Sequence, residues 1–310
     1  MGKRKNIVYD KAELDKLQED SVAVSDTVIE IYDSASNKSI KDDQNLIKVS
    51  TCQCSPIKTV VETLNGLLPS ANFCFTKKKL TVKAVNVNKT LIVNMELDAE
   101  NFEDYNCQAE EYSIGIKLAN FHKIINSIGS TNELSLIVDK NDPNRLDIRV
   151  VIEEKNTIHN WRMNLLDTKP NEIKIIDIND YPVVVSIPSN YFQKICRDAG
   201  RHTTNFEISR GLNRQLILTF DSDNLSQETT IGTSEDNLNL SFLKNENKDE
   251  IIQGNYSLKD LITFSKCTSI SEHAIIYMSN TLPLMIQYSV GNLGKIQLFM
   301  KQIEKIKNAG

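Results

Sequence analysis

Val185-Ser186-Ile187-Pro188-Ser189-Asn190-Tyr191-Phe192-Gln193-Lys194-Ile195-Cys196-Arg197-Asp198 changes period in its middle. Up to Ile187 apolar and polar residues alternate, as in a strand with one buried face. From Pro188-Ser189 onward the apolar positions are Phe192, Ile195, Cys196 and Ala199, spaced for one stripe of a helix that stops at Gly200. The stretch therefore reads as a strand running directly into a helix of about three turns.

Three other segments carry the same helical spacing. Ser55-Pro56, read as a cap residue followed by Pro at the first helical position, leads through Ile57, Val60, Val61 and Leu64 to Gly66. Leu118, Phe121, Ile124, Ile125 and Ile128 precede Gly129, and Leu258, Leu261, Ile262 and Ser265 form the last. Between them lie short alternating runs that read as strands: 46–49, 80–85, 90–97, 134–138, 146–152 and 161–166, then 183–187, 206–209, 216–220, 237–243, 274–278, 284–288 and 296–300. The polar stretch 243–254 reads as a surface loop. Lys169-Pro170-Asn171, followed by Ile173, Ile175, Ile176 and Ile178, breaks the spacing and reads as an extended connector. Two helices fall on each side of it, so the chain reads as a hidden repeat. The predicted organisation is a flexible extension over 1–44, a domain over 45–166, a connector over 167–182, a second domain over 183–306 and a tail over 307–310.

The length of 310 residues fits two domains, each able to bury a core. The apolar runs are far too short to span a bilayer, and Met1-Gly2-Lys3-Arg4-Lys5-Asn6 is followed by polar residues, so neither membrane insertion nor secretion is expected. The chain is expected to stay inside the cell. Six cysteines are scattered without a Cys-x-x-Cys pair and read as reduced, mostly buried thiols.

Catalytic chemistry finds no support. His122, His159, His202 and His273 are dispersed without metal-ligand spacing, and the glycines form no phosphate-binding loop. Asp221-Ser222-Asp223 opens like a calcium loop, but Ser226 and Gly232 stand where that loop requires Gly and Glu. The acidic pairs Glu110-Glu111, Glu153-Glu154 and Asp249-Glu250 lie in polar stretches typical of solvated faces. No enzyme, metal or cofactor is expected.

Lys and Arg number 36 against 41 acids, a net charge of −5 that by itself argues against a nucleic-acid partner. The distribution argues otherwise. Lys194, Arg197 and Arg201 fall at i, i+3 and i+7 on one side of their helix, Lys259 and Lys266 do the same, and Lys58 and Lys123 add one base to each of the first two helices. Glu62, Asp198 and Asp260 dilute the pattern.

The stretch from Val185 to Asp198, down to its Ile-Cys-Arg-Asp, resembles the opening of the second domain of the proliferating cell nuclear antigen family of DNA sliding clamps. Asn255-Tyr256-Ser257-Leu258-Lys259-Asp260-Leu261 with Phe264-Ser265-Lys266 is similar to the family's last helix. Met278-Ser279, Leu282-Pro283-Leu284, Gln287-Tyr288 and Gly294 are similar to the strands that follow it. In the first half, Phe102, Tyr105-Asn106-Cys107 and Gly115-Ile116-Lys117-Leu118 leading to Lys123-Ile124 resemble the corresponding segments. The resemblance covers about residues 45–303, and the extension before it has no counterpart in the cellular clamps.

The resemblance implies an α+β clamp fold: two similar domains, each with antiparallel sheet and two helices, three chains closing into a ring around duplex DNA. A sliding ring needs phosphate attraction without base readout, which flexible cations on helices supply. Lys58, Lys123, Lys194, Arg197, Lys259 and Lys266 match basic helix positions of the family, Arg201 stands where cellular clamps often carry His, and Asn65 and Asn126 replace bases. The second domain is thus the expected stronger electrostatic half. The resemblance also implies a pocket for short aromatic motifs of a DNA polymerase and other partners, formed by Val85, Ile92, Pro283 and Phe299 with Ile173, Ile175 and Ile176 from the connector. A clamp loader is a further implied partner. Lys301 replaces the family's usual Pro after the last strand, and Asn205 to Arg214 contains no Lys for ubiquitin-family modification. Two other assemblies fit the plan: a monomer or dimer that binds DNA directly, with Lys77-Lys78-Lys79 as a local patch, and one subunit of a heteromeric checkpoint clamp. The strands near 146–152 and 216–220 are the expected subunit edges.

Overall fold

A computed structural model describes residues 44–168, 172–211, 214–222, 225–232, 240–246 and 250–303. The extension, the C-terminal tail, Lys169-Pro170-Asn171, Asp223 and the start of the run at 237–243 lie outside the described residues.

The first half runs β1 (Asn45–Thr51), α1 (Cys54–Leu67), β2 (Ser70–Thr76), β3 (Lys79–Val85), β4 (Leu91–Asp98), β5 (Asp104–Cys107), β6 (Glu111–Lys117), α2 (Leu118–Asn126), β7 (Glu133–Asp139), β8 (Arg145–Ile152) and β9 (Thr157–Asn164). The second repeats that order: β10 (Val183–Pro188), α3 (Ser189–Ala199), β11 (Asn205–Gly211), β12 (Gln215–Ser222), β13 (Leu225–Gly232), β14 (Ser241–Asn245), β15 (Ile252–Ser257), α4 (Leu258–Phe264), β16 (His273–Met278), β17 (Leu284–Val290) and β18 (Gly294–Met300).

Pairing repeats as faithfully as order. In each half the first strand lies between the fifth and seventh, with the eighth and ninth following, while the sixth, second, third and fourth make a separate ladder. All pairs are antiparallel. One pair has no twin: β18 joins β4, from Gly294 opposite Leu97 to Met300 opposite Leu91, and fuses ladders of the two halves into a nine-stranded sheet. Gly294 is required there, because a Cβ would collide with the Glu96 carbonyl and the Leu97 backbone.

The helices form one layer in the order α2, α1, α4, α3. Val60, Val61 and Leu64 of α1, Phe121 and Ile125 of α2, Phe192 and Cys196 of α3, and Leu261 and Phe264 of α4 sit in one core with the inward side chains of the strands. Burying each large apolar side chain contributes about 1.5–3 kcal/mol. Gly66 at the end of α1 lets Thr263 of α4 approach, and Gly200 does the same for Ile262. Helix α1 begins earlier than expected, at Cys54 with Gln53 at the cap position, so Ser55 is inside the helix and Pro56 is its third residue, where a missing N–H is still harmless.

The stretch read as a surface loop over 243–254 contains the end of β14 and the start of β15. Strand β15 buries Ile252, Gly254 and Tyr256 on one face, and the bare Gly254 makes room for the Tyr256 ring. Its alternation is hidden because one inward position has no side chain and the outward ones are Gln253 and Asn255. The strands expected at subunit edges are interior. Strand β8 lies between β7 and β9, and β12 lies between β11 and β13; the end strands of these ladders are β5 and β9 in the first half and β15 and β13 in the second. The expectation rested on the more apolar strands, and apolar strands are the ones buried inside a sheet.

Candidate nucleic-acid interface and partner cleft

The seven cations singled out on the helices share one layer but not one state. Lys194 and Arg197, one turn apart on α3, are exposed, as are Lys123 on α2 and Lys259 on α4, and none of these has an ion pair among the described residues. Their helices bury the opposite stripe, so the amphipathic pattern alone turns these side chains to solvent. Arg201 is exposed and lies 3.8 Å from Asp198. Lys266 is held at 2.8 Å by Glu62, a bridge from α1 to the 3-10 turn after α4 that Thr59 and Ser269 reinforce at 3.1 Å. Lys58 is half-buried, and its Nζ donates at 2.7 Å to the carbonyl of Ile128, just beyond the end of α2. A cation on the free carbonyls of a helix end stabilises that end. Sequence spacing identified these residues as bases but could not show that Lys58 and Lys266 already have partners.

The free edges complete the picture. Equating the pairing registers of the two halves makes His159, Trp161 and Met163 of β9 the counterparts of Ile296, Leu298 and Met300 of β18. Leu225, Gln227 and Thr229 of β13 are likewise the counterparts of Leu91, Val93 and Met95 of β4. Thus β9 and β13 are the two strands that would repeat the β18–β4 junction, and within the chain neither meets the other. Leu225 on one edge is 45% exposed and Ile158 on the other 50% exposed. Trp161, the chain's single Trp, is half-buried and lies against the His159 ring at 5.4 Å.

On the outer face a cleft of about 500 Å³ is lined by Val85, Asn86, Lys89, Thr90, Leu91, Ile92, Pro283, Phe299 and Lys301. The expected Val85, Ile92, Pro283 and Phe299 all meet there. Ile175 and Ile176 of the connector are not among its lining residues but pack into a small second core that contains two of them, Ile92 and Phe299, together with Tyr181, Val184, Tyr277 and Met285. Tyr181 is fully buried and donates its hydroxyl to the Pro283 carbonyl at 2.8 Å, so the strand end carrying Pro283 is fixed. Ile173 lines a neighbouring polar cleft with Asn72, Cys74, Lys79 and Lys83.

Two comparisons bear on this geometry. The family model of the proliferating cell nuclear antigen N-terminal domain matches residues 46–172, and that of its C-terminal domain matches 174–303. Among curated proteins, the chain is 30% identical over 265 residues to "Probable DNA polymerase sliding clamp 1" of Paramecium bursaria Chlorella virus 1, covering 84% of this chain and 98% of that one. The chain belongs to the proliferating cell nuclear antigen family. It is also 26% identical over 262 residues to the proliferating cell nuclear antigen of Dictyostelium discoideum, covering 80% of this chain and 95% of that one. The α+β clamp fold with two repeated halves follows from the same matches.

In this clamp four of the six cysteines are core residues. Cys54, Cys107, Cys196 and Cys267 are buried, Cys74 is half-buried, and Cys52 is exposed. Burial raises the Cys54 and Cys74 thiols to about 11 and Cys267 to about 12, so they stay protonated at neutral pH and are poor nucleophiles. Both family models describe clamp domains, a non-catalytic family. No helix among the described residues is long and apolar enough to cross a membrane.

Proposed function

We propose that this clamp closes as a homotrimer around duplex DNA, held by sequence-independent contacts, and tethers a DNA polymerase and other proteins through its outer cleft. The two halves act as domains over 45–166 and 183–306 joined by the connector 167–182. The observation that carries the reading is the pair of unmatched edges. An interface that joins β9 of one copy to β13 of the next is head-to-tail, and such interfaces either close into rings or run on as filaments. With three copies, as the family resemblance implies, six similar domains close the ring, the helix layer inside.

Lys123, Lys194, Arg197 and Lys259 then face the phosphates without competing partners, while Arg201 and Lys266 must give up exposed ion pairs worth about 0–1 kcal/mol each. Lys58 serves the fold more than the DNA. Single cations on helix surfaces can meet phosphates without reading base edges, which suits a ring that must slide. Loading by a clamp loader, and action in the nucleus or at a viral replication site, belong to the same proposal.

Light scattering on a size-exclusion column at moderate salt tests the ring. The expected mass is three times 35.1 kDa. A mass of 35.1 kDa across a wide concentration range, with no change on adding DNA, would overturn the ring and favour direct binding by a monomer.

A further inference from the structure

The outer cleft combines an apolar floor with a cationic rim. Phe299 and Leu91 are buried, and Val85, Ile92 and Pro283 are half-buried, so the floor suits apolar anchors. Lys89 and Lys301 are both exposed at its edge. Neither has an ion pair among the described residues, and no acidic side chain among them lines the cleft.

The two ammonium groups are presented from rigid supports. Lys89 sits in the β3–β4 turn with φ of 55°, in the left-handed region. The Asn86 side chain locks that turn by accepting from the backbone N–H groups of Thr90 and Leu91 at 2.9 and 3.1 Å. Lys301, just past β18, donates its backbone N–H to the Thr90 carbonyl at 2.9 Å, tying the second cation to the turn that carries the first. An otherwise acidic chain, with net charge −5, therefore places two cations on held backbone beside an apolar floor.

We infer that the segment seated in this cleft is a partner peptide with a carboxylate next to its apolar anchors, and that Lys89 and Lys301 select for that carboxylate. The inference rests on the cleft being the partner site. The anchors bury apolar surface and supply most of the affinity, as a central anchor does in peptide grooves. A carboxylate at the rim meets two cations at partial exposure, which adds discrimination over a neutral amide.

The test uses the full chain and two fluorescein-labelled peptides that share one Leu and two aromatic anchors. They differ only in one residue flanking the anchors, Glu in one and Gln in the other. Fluorescence polarisation at low salt should show the Glu peptide binding about three- to ten-fold tighter, and the preference should shrink as salt rises. The double variant Lys89→Gln, Lys301→Gln should bind both peptides alike. Equal binding of the two peptides by the unaltered chain, or a preference that survives in the double variant, overturns the inference while leaving the cleft reading intact, provided Val85→Gln weakens both. If neither peptide binds, or Val85→Gln changes nothing, the cleft itself is not the partner site and both readings fall.

Discussion

The junction between β4 and β18 and the free edges β9 and β13 are two versions of one design with opposite surfaces. At the first, Leu91, Val93, Met95, Ile296, Leu298 and Met300 are all buried, and the two halves meet as one sheet. At the second, the counterpart positions carry Leu225, Gln227, Thr229, His159, Trp161 and Met163, and β13 buries only Ile231. In the proposed ring the same backbone pairing would be sealed where all six side chains are apolar and weaker where Gln227, Thr229 and His159 replace three of them. That matches the proposed task, since a ring that must be opened needs one class of seam to be weaker than the others. Polar residues on an exposed edge also discourage pairing with unrelated strands.

The largest effect that would sharpen the contrast is at the sealed junction. Leu298→Ala should lower unfolding stability by about 2–5 kcal/mol in a urea titration, because it leaves a cavity in a close-packed sheet face. Trp161→Ala at the counterpart position should instead act on assembly, weakening it by about 2 kcal/mol or roughly thirty-fold, as loss of an aromatic interface anchor does. The mass by light scattering should fall toward 35.1 kDa on dilution, and the protein should lose its retention on closed circular duplex. Should Trp161→Ala leave the mass unchanged and unfold as readily as Leu298→Ala, the two seams are not the distinct structures described.

Smaller effects compare the cations of the helix layer. Lys194→Gln with Arg197→Gln should reduce the slope of log affinity against log salt by about 2, about one for each phosphate that is no longer neutralised. The corresponding single change Lys58→Gln should leave that slope almost unaltered and instead cost about 1 kcal/mol of unfolding stability, through removal of the bond to the Ile128 carbonyl. A slope change for Lys58→Gln equal to that of Lys194→Gln alone would mean that Lys58 leaves its helix end to meet DNA.

Much of the fold was legible because its repeat is written in periodicity. The change from alternation to helical spacing at Pro188 marks the β10–α3 turn correctly, and the other three helices show the same apolar stripes. Strands such as β13 and β15 were not legible, for different reasons. Strand β13 is polar on both faces from Ser226 to Thr230, as an edge strand can be, and β15 loses its alternation to Gly254. Strand β2 does alternate, with Ala71, Phe73 and Phe75 on its buried face. In the cleft, Val85 and Phe299 were legible only through the family resemblance, and Lys89 was not legible at all. Its place beside Lys301 depends on a hydrogen bond between segments more than two hundred residues apart in sequence.

The sequence by itself determined the family, the repeated strand-and-helix plan and the amphipathic faces that turn lysines and arginines to one side, because period and side-chain chemistry are local properties. The tertiary structure decided which cations are free, which edges are unpaired and which apolar residues share a cleft. Those depend on which strand lies beside which and which carbonyl a side chain can reach. Both are set by contacts between residues far apart along the chain, where no local pattern records them.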